Sequence, residues 1–138
     1  MANQDHPSRW QTFGAALQAR GVALAYFFGS QKAAGPRLLD GHPVPAAPLS
    51  DLDLGVVFRQ HPLDYRQLPQ IRKDLEAALA PFFLPLRLHL LLLEEENAHV
   101  QYAAAIKGLE AYAADPEFAR HYRQKVYALY ADWHSWWP

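Results

Sequence analysis

Cysteine is absent from this chain, and with it any disulfide framework or thiolate-bound metal. An excess of one charge is missing as well: 13 Lys and Arg stand against 14 Asp and Glu, for a formal net charge of −1. General nucleic-acid binders neutralise phosphates with surplus basic residues, so this balance argues against direct nucleic-acid binding. No apolar run is long enough to span a bilayer, and the polar start through Pro7 lacks the apolar core of a signal peptide; a cytoplasmic location without membrane association is expected. Gly-x-Gly-x-x-Gly and Gly-x-x-x-x-Gly-Lys are absent, which removes the dinucleotide-binding and P-loop readings. Gly-x-Ser-x-Gly is absent too, so Ser30 does not sit in a nucleophile elbow. The seven histidines show no close helical pairing of the kind zinc requires.

What is present is a globular composition. With 138 residues, 51% of them hydrophobic, the chain is expected to form one domain over 1–138 around one core. Ser8 is placed to cap a helix with Trp10, Phe13 and Leu17 on its apolar side and Gly21 as its stop. The nearly continuous apolar run 22–28 predicts a strand buried on both faces. A short helix is expected to begin within 31–34. The proline-rich segment 35–48 then reads as an irregular surface loop. A second strand is expected from Leu49 or Ser50 to Phe58, a helix over 68–80 and a third strand over 86–93. A further helix over 97–113 ends at Asp115-Pro116, and a last helix from Glu117 carries Phe118, Tyr122, Val126, Leu129 and Trp133 on one side. The alternation is that of an α/β (α+β) domain, a small mixed sheet flanked by helices.

Two segments carry the chemistry. The run Leu24-Ala25-Tyr26-Phe27-Phe28 breaks at Gly29-Ser30, and downstream the chain reads Ser50-Asp51-Leu52-Asp53-Leu54. Residues i and i+2 of a strand share a face, so Asp51 and Asp53 project together while Leu52 and Leu54 go to the core. Two neighbouring carboxylates repel each other and lose hydration, and a divalent cation is the usual remedy. Strand, Gly-Ser turn, loop and Asp-x-Asp strand together resemble the minimal nucleotidyltransferases (MNT) of the DNA polymerase β superfamily. The resemblance covers nearly the whole chain and implies the polymerase-β-type nucleotidyltransferase fold. It also implies roles for particular residues: Gly29 and Ser30 hold a triphosphate, and Asp51 and Asp53 bind Mg²⁺ and carry catalysis. Lys32 is placed to reach a phosphate as a point charge.

The departures from the family bear on activity. Its active members carry a third acid on the following strand; here that strand reads Leu86-Arg87-Leu88-His89-Leu90, with His89 at the expected position. Histidine is a poorer Mg²⁺ ligand than a carboxylate. Glu94, Glu95 and Glu96 read as a solvated charged turn leading into a helix. The segment between Gly-Ser and Asp-x-Asp is about twice as long as is usual, and its role is left open. Stand-alone members are often antitoxins of HEPN-type RNase toxins, some acting by transfer of AMP from ATP to a toxin tyrosine. The resemblance therefore implies a Mg²⁺-dependent, ATP-using antitoxin with a HEPN-type partner. Two alternatives stand beside it: a degenerate relative that binds toxin or nucleotide without chemistry, and an aminoglycoside-type enzyme acting on a small molecule. The latter usually has a substrate domain, for which this chain has no room. Near the C-terminus, Tyr127 and Trp133 are expected to pack on the core, and Trp136 and Trp137 to form a contact surface for another protein.

Overall fold

The structure, a computed structural model, describes residues 7–45, 51–60 and 64–135, with side chains to 133. The fold is a four-stranded mixed sheet with helices on both faces. Helix α1 (Arg9–Ala19) opens on the Ser8 cap, where the Ser8 hydroxyl accepts from the Gln11 N–H and the Gln11 side chain accepts from the Ser8 N–H. Such a reciprocal pair satisfies two otherwise orphan donors. Strand β1 (Val22–Phe28) follows and is buried along its whole length. Helix α2 (Ala34–Leu39), strand β2 (Asp51–Phe58), helix α3 (Leu68–Leu79), strand β3 (Arg87–Leu92), helix α4 (Ala98–Ala105), strand β4 (Leu109–Ala113) and helix α5 (Pro116–Ser135) complete the order.

The strands lie in the order β3-β2-β1-β4. β1 is antiparallel to both of its neighbours, whereas β2 and β3 are parallel and joined through α3. On one face, Phe13 and Leu17 of α1, Leu38 and Leu39 of α2 and Leu75 and Leu79 of α3 pack on Phe27, Leu52, Leu54, Val56 and Leu90. Phe83 sits at the centre of that layer, with its ring 5.5 Å from Phe13 and 5.6 Å from Phe27. On the other face, α4 and α5 bury Leu24, Tyr26, Phe28 and Val57 beneath Ala104, Ala105, Ala119, Tyr122 and Val126. This second layer holds polar groups: the Tyr122 hydroxyl donates to Gln101 Oε1 at 2.8 Å, and the Tyr26 hydroxyl has no partner among the described residues.

The structure corrects several expectations. The helix predicted over 97–113 ends at Ala105, and its second half is β4. At Gly108 a Cβ would lie 2.2 Å from the Ala104 carbonyl oxygen and 2.6 Å from that of Phe27. The chain therefore turns there against β1, whose open edge then takes Leu109–Ala113 as a partner. The segment 35–48 is not wholly irregular, since α2 occupies its first part with Pro36 in the first turn, where a missing N–H costs nothing. Residues 46–50 lie outside the described residues. Glu94 is not solvated: it lies in a 3₁₀ turn (Leu93–Glu95), largely buried, with Lys125 Nζ at 3.6 Å. On α5 the buried stripe is Ala119, Tyr122 and Val126, while Leu129 is exposed.

Tyr127 is also exposed (51%), with its ring edge-on to Tyr102. Trp133 packs with Tyr130 and His99 rather than entering the core. Trp136 and Trp137 lie outside the described residues.

Candidate functional site

The site lies at the end of the sheet where β1 finishes and β2 and β3 begin. On β2, Leu52 and Leu54 are buried against the α1/α3 layer, so pleating turns Asp51 and Asp53 to the opposite face, as the two-residue spacing requires. Asp53 is the register partner of Phe28, the last residue of β1. Immediately after it, Gly29 turns the chain with φ +80°, and a Cβ there would stand 2.4 Å from Asp53 Oδ2. Only glycine brings the turn this close to the carboxylate without strain. The turn continues through the exposed Ser30 to a hydrogen bond from the Lys32 N–H to the Gly29 carbonyl, 3.3 Å.

β3 supplies the third side of the site. In the parallel register Asp51 pairs with Arg87 and Asp53 with His89. His89 thus stands level with Asp53, where a third acid was sought, and its Nδ1 lies 2.9 Å from Asp53 Oδ1. Arg87 Nε donates to Asp51 Oδ1 at 3.0 Å. Each carboxylate therefore faces a basic side chain at the same height on the next strand. The carboxylates are partly exposed, Asp51 at 38% and Asp53 at 27%, so the corner is open to a solute.

Lys32 bridges two turns. Its ammonium donates to the Lys107 carbonyl at 2.9 Å, tying the turn after Gly29 to the turn before β4. Glu94 lies toward α5, with Lys125 Nζ at 3.6 Å from its carboxylate. The partner of Asp51 is the residue that sequence reasoning passed over. Arg87 shares the alternation of His89 on β3, and that alternation was the available signal.

The donor set bears on metal binding. Among the described residues no group of three His, Cys, Asp or Glu is arranged to hold a metal ion. Mg²⁺ takes six oxygens and is commonly held by one or two carboxylates together with substrate phosphates and water. Asp51 and Asp53, with the Gly29 turn close against Asp53, supply the one or two carboxylates that such an ion takes from a protein. They do not make a closed protein cage for one.

No protein-family model and no curated protein matches the sequence. Solved structures do match the fold. A toxin–antitoxin complex with AMP-PNP aligns with a TM-score of 0.62 at 16% identity, covering 91% of this chain and 90% of the other. A tri-AMPylated Shewanella oneidensis HEPN toxin in complex with its MNT antitoxin gives 0.59 at 16% identity, over 92% and 87%. A mutant MntA–HepT complex gives 0.63 at 16% identity, over 88% and 85%. With its four-stranded mixed sheet flanked by helices, the chain has the nucleotidyltransferase fold of these MNT-type antitoxin structures.

Proposed function

We propose that this chain is an antitoxin that uses Mg²⁺ and ATP to transfer AMP to a tyrosine of a HEPN-type RNase toxin. The observation that carries this reading is the approach of the Gly29 turn to Asp53 beside Asp51, which places a phosphate-compatible turn against two same-face carboxylates. Two of the structural neighbours support it by their contents, one holding AMP-PNP and the other a tri-AMPylated HEPN toxin.

In this reading, Gly29 and Ser30 hold the triphosphate through backbone N–H groups and the Ser30 hydroxyl. Asp51 and Asp53 would hold a Mg²⁺ ion, which would supply charge withdrawal from the phosphates when bound. Lys32 adds a cation once its ammonium leaves the Lys107 carbonyl. Transfer joins the acceptor oxygen to the α-phosphorus, breaks the bond to the β-phosphate oxygen and releases pyrophosphate. The acceptor proton passes to a base, and we assign that role to His89, at hydrogen-bond distance from Asp53. Labelled ATP incubated with the chain and the co-purified toxin tests the reading; label on a toxin tyrosine is expected, and its loss in Asp51→Asn/Asp53→Asn.

A second reading is favoured by the side chains of β3. His89 and Arg87 already partner the two carboxylates, which supports a degenerate relative that binds toxin or nucleotide without chemistry. The variant His89→Asp separates the two. If the missing acid limits the chemistry, His89→Asp raises AMP transfer; robust wild-type transfer, unchanged or lowered in the variant, removes the degenerate reading.

A further inference from the structure

Two residues before His89, which stands where nucleotidyltransferase chemistry calls for a third acid, β3 brings the fixed positive charge of Arg87 level with Asp51. Among the described residues Arg87 is bound to Asp51 through Nε alone, at 3.0 Å. A guanidinium has five N–H donors, so four are left over, and three-quarters of the side chain (75%) is open to solvent. An arginine anchored at one nitrogen with its fork free is pre-oriented for the planar, two-point recognition of phosphate that a lysine cannot match. Asp51 does the anchoring, while Arg87 offsets the repulsion that a bare pair of carboxylates would exert on an incoming polyphosphate.

We propose that Arg87 is a phosphate-binding residue of this corner, positioned by Asp51, and that polyphosphate binding here does not depend wholly on a divalent metal. The proposal rests on the nucleotide-site reading above and adds to it a ligand from β3. Asp53 remains beside the Gly29 turn, so the corner offers a fixed cation and a metal-ready carboxylate side by side. The chemistry recognised is a chain of phosphates, whether in a nucleoside triphosphate or in inorganic triphosphate.

Calorimetric titration of the full chain with ATP, and separately with inorganic triphosphate, tests this in EDTA and in Mg²⁺. The wild type is expected to bind in EDTA, more weakly than with Mg²⁺. Arg87→Ala should weaken binding in EDTA by about tenfold or more, the loss of one or two charge-assisted hydrogen bonds, and weaken it less when Mg²⁺ is present. Arg87→Lys should fall between, because an ammonium keeps the charge without the fork. Equal binding of both probes assigns the site to phosphates alone, while tighter binding of ATP adds a contact to the nucleoside; both outcomes support Arg87 only with the Arg87→Ala loss. Thermal melting without ligand checks that each variant is folded, and Arg87→Gln replaces any that is not. Wild-type binding only with Mg²⁺ would overturn the proposal and leave the nucleotide site standing. Unchanged binding by Arg87→Ala in EDTA would overturn it too. Absence of ATP binding in both media would overturn this inference and the nucleotide site together.

Discussion

The two faces of the sheet are built from different materials. Beneath α1, α2 and α3 the layer is aromatic and aliphatic, with Phe13, Phe27 and Phe83 in mutual contact and none of them exposed. On the face shared with α4 and α5 the same strands carry Asp51, Asp53, Arg87, His89 and the Tyr26 hydroxyl, and the two helices add the Gln101–Tyr122 pair. Strand β2 shows the division within eight residues, since its even positions are leucine, leucine, valine and phenylalanine and its first two odd positions are aspartate. The first face holds the sheet flat enough and firm enough for the second to present charged side chains at a fixed height. Rigid supports of this kind hold a site more accurately than loops do.

If that division is right, Phe83→Ala should produce the largest loss. The ring contacts three other phenylalanines, and deleting it should cost about 3–5 kcal/mol in urea denaturation. The cost should fall on the fold, with the carboxylate corner affected only through global unfolding.

Gly29→Ala should cost less and act on the site. The φ of +80° and the 2.4 Å approach to Asp53 Oδ2 predict a loss of about 1–2 kcal/mol, because Asp53 is held in place by His89 and must be pushed aside. The thermal shift produced by Mg²⁺ and ATP should be lost in this variant. Retention of the full shift would separate the turn from the ligand.

Tyr26→Phe should go the other way. Removing a buried hydroxyl that lacks a partner among the described residues should stabilise the fold by about 1 kcal/mol. Burial, with a smaller push from Glu110 and an opposing pull from Arg123, raises the Tyr26 phenol to about 12. In the unfolded chain a tyrosine loses its proton near the ordinary value of 10.0, so stability is fully present below that pH and falls as pH rises from 10.0 toward 12. Tyr122 is raised as well, chiefly by burial, so Tyr26→Phe should reduce that alkaline loss without abolishing it.

The smallest effect on the fold should come from Asp51→Asn with Asp53→Asn. Both carboxylates are partly exposed, and ion pairs of that kind contribute about 1 kcal/mol or less. The metal-dependent part of the stabilisation by Mg²⁺ and ATP should nevertheless disappear, since a ligand that binds only the folded chain raises its melting temperature by mass action. An equal shift in the double variant would take these residues out of the site.

Much of this arrangement is legible in the sequence, for local reasons. β1 is readable because seven apolar residues lie between Gly21 and Gly29. α1 is readable because Ser8 and Gln11 stand three apart before an apolar stripe. The same-face projection of Asp51 and Asp53 follows from pleating alone, and the level position of His89 follows from the alternation along β3. β4 is different. Its alanines continue a helix-favouring run, and it becomes a strand because β1 has an open edge at a distance in sequence that no local window spans. The burial of Glu94 likewise depends on Lys125 of α5, thirty-one residues on.

The charge pairs between β2 and β3 have a consequence for how the sheet assembles. Apart from Arg87 and His89, β3 is leucine throughout, and a run of leucines fits beside β2 almost equally well in several alignments. A slip of one residue would set leucines against both aspartates. A slip of two would bring Arg87 opposite Asp53 but leave Asp51 facing Pro85 and His89 facing Gly55. Only the observed alignment pairs both acids with both bases. In a strand of leucines, Arg87 and His89 are the marks by which β3 finds its place.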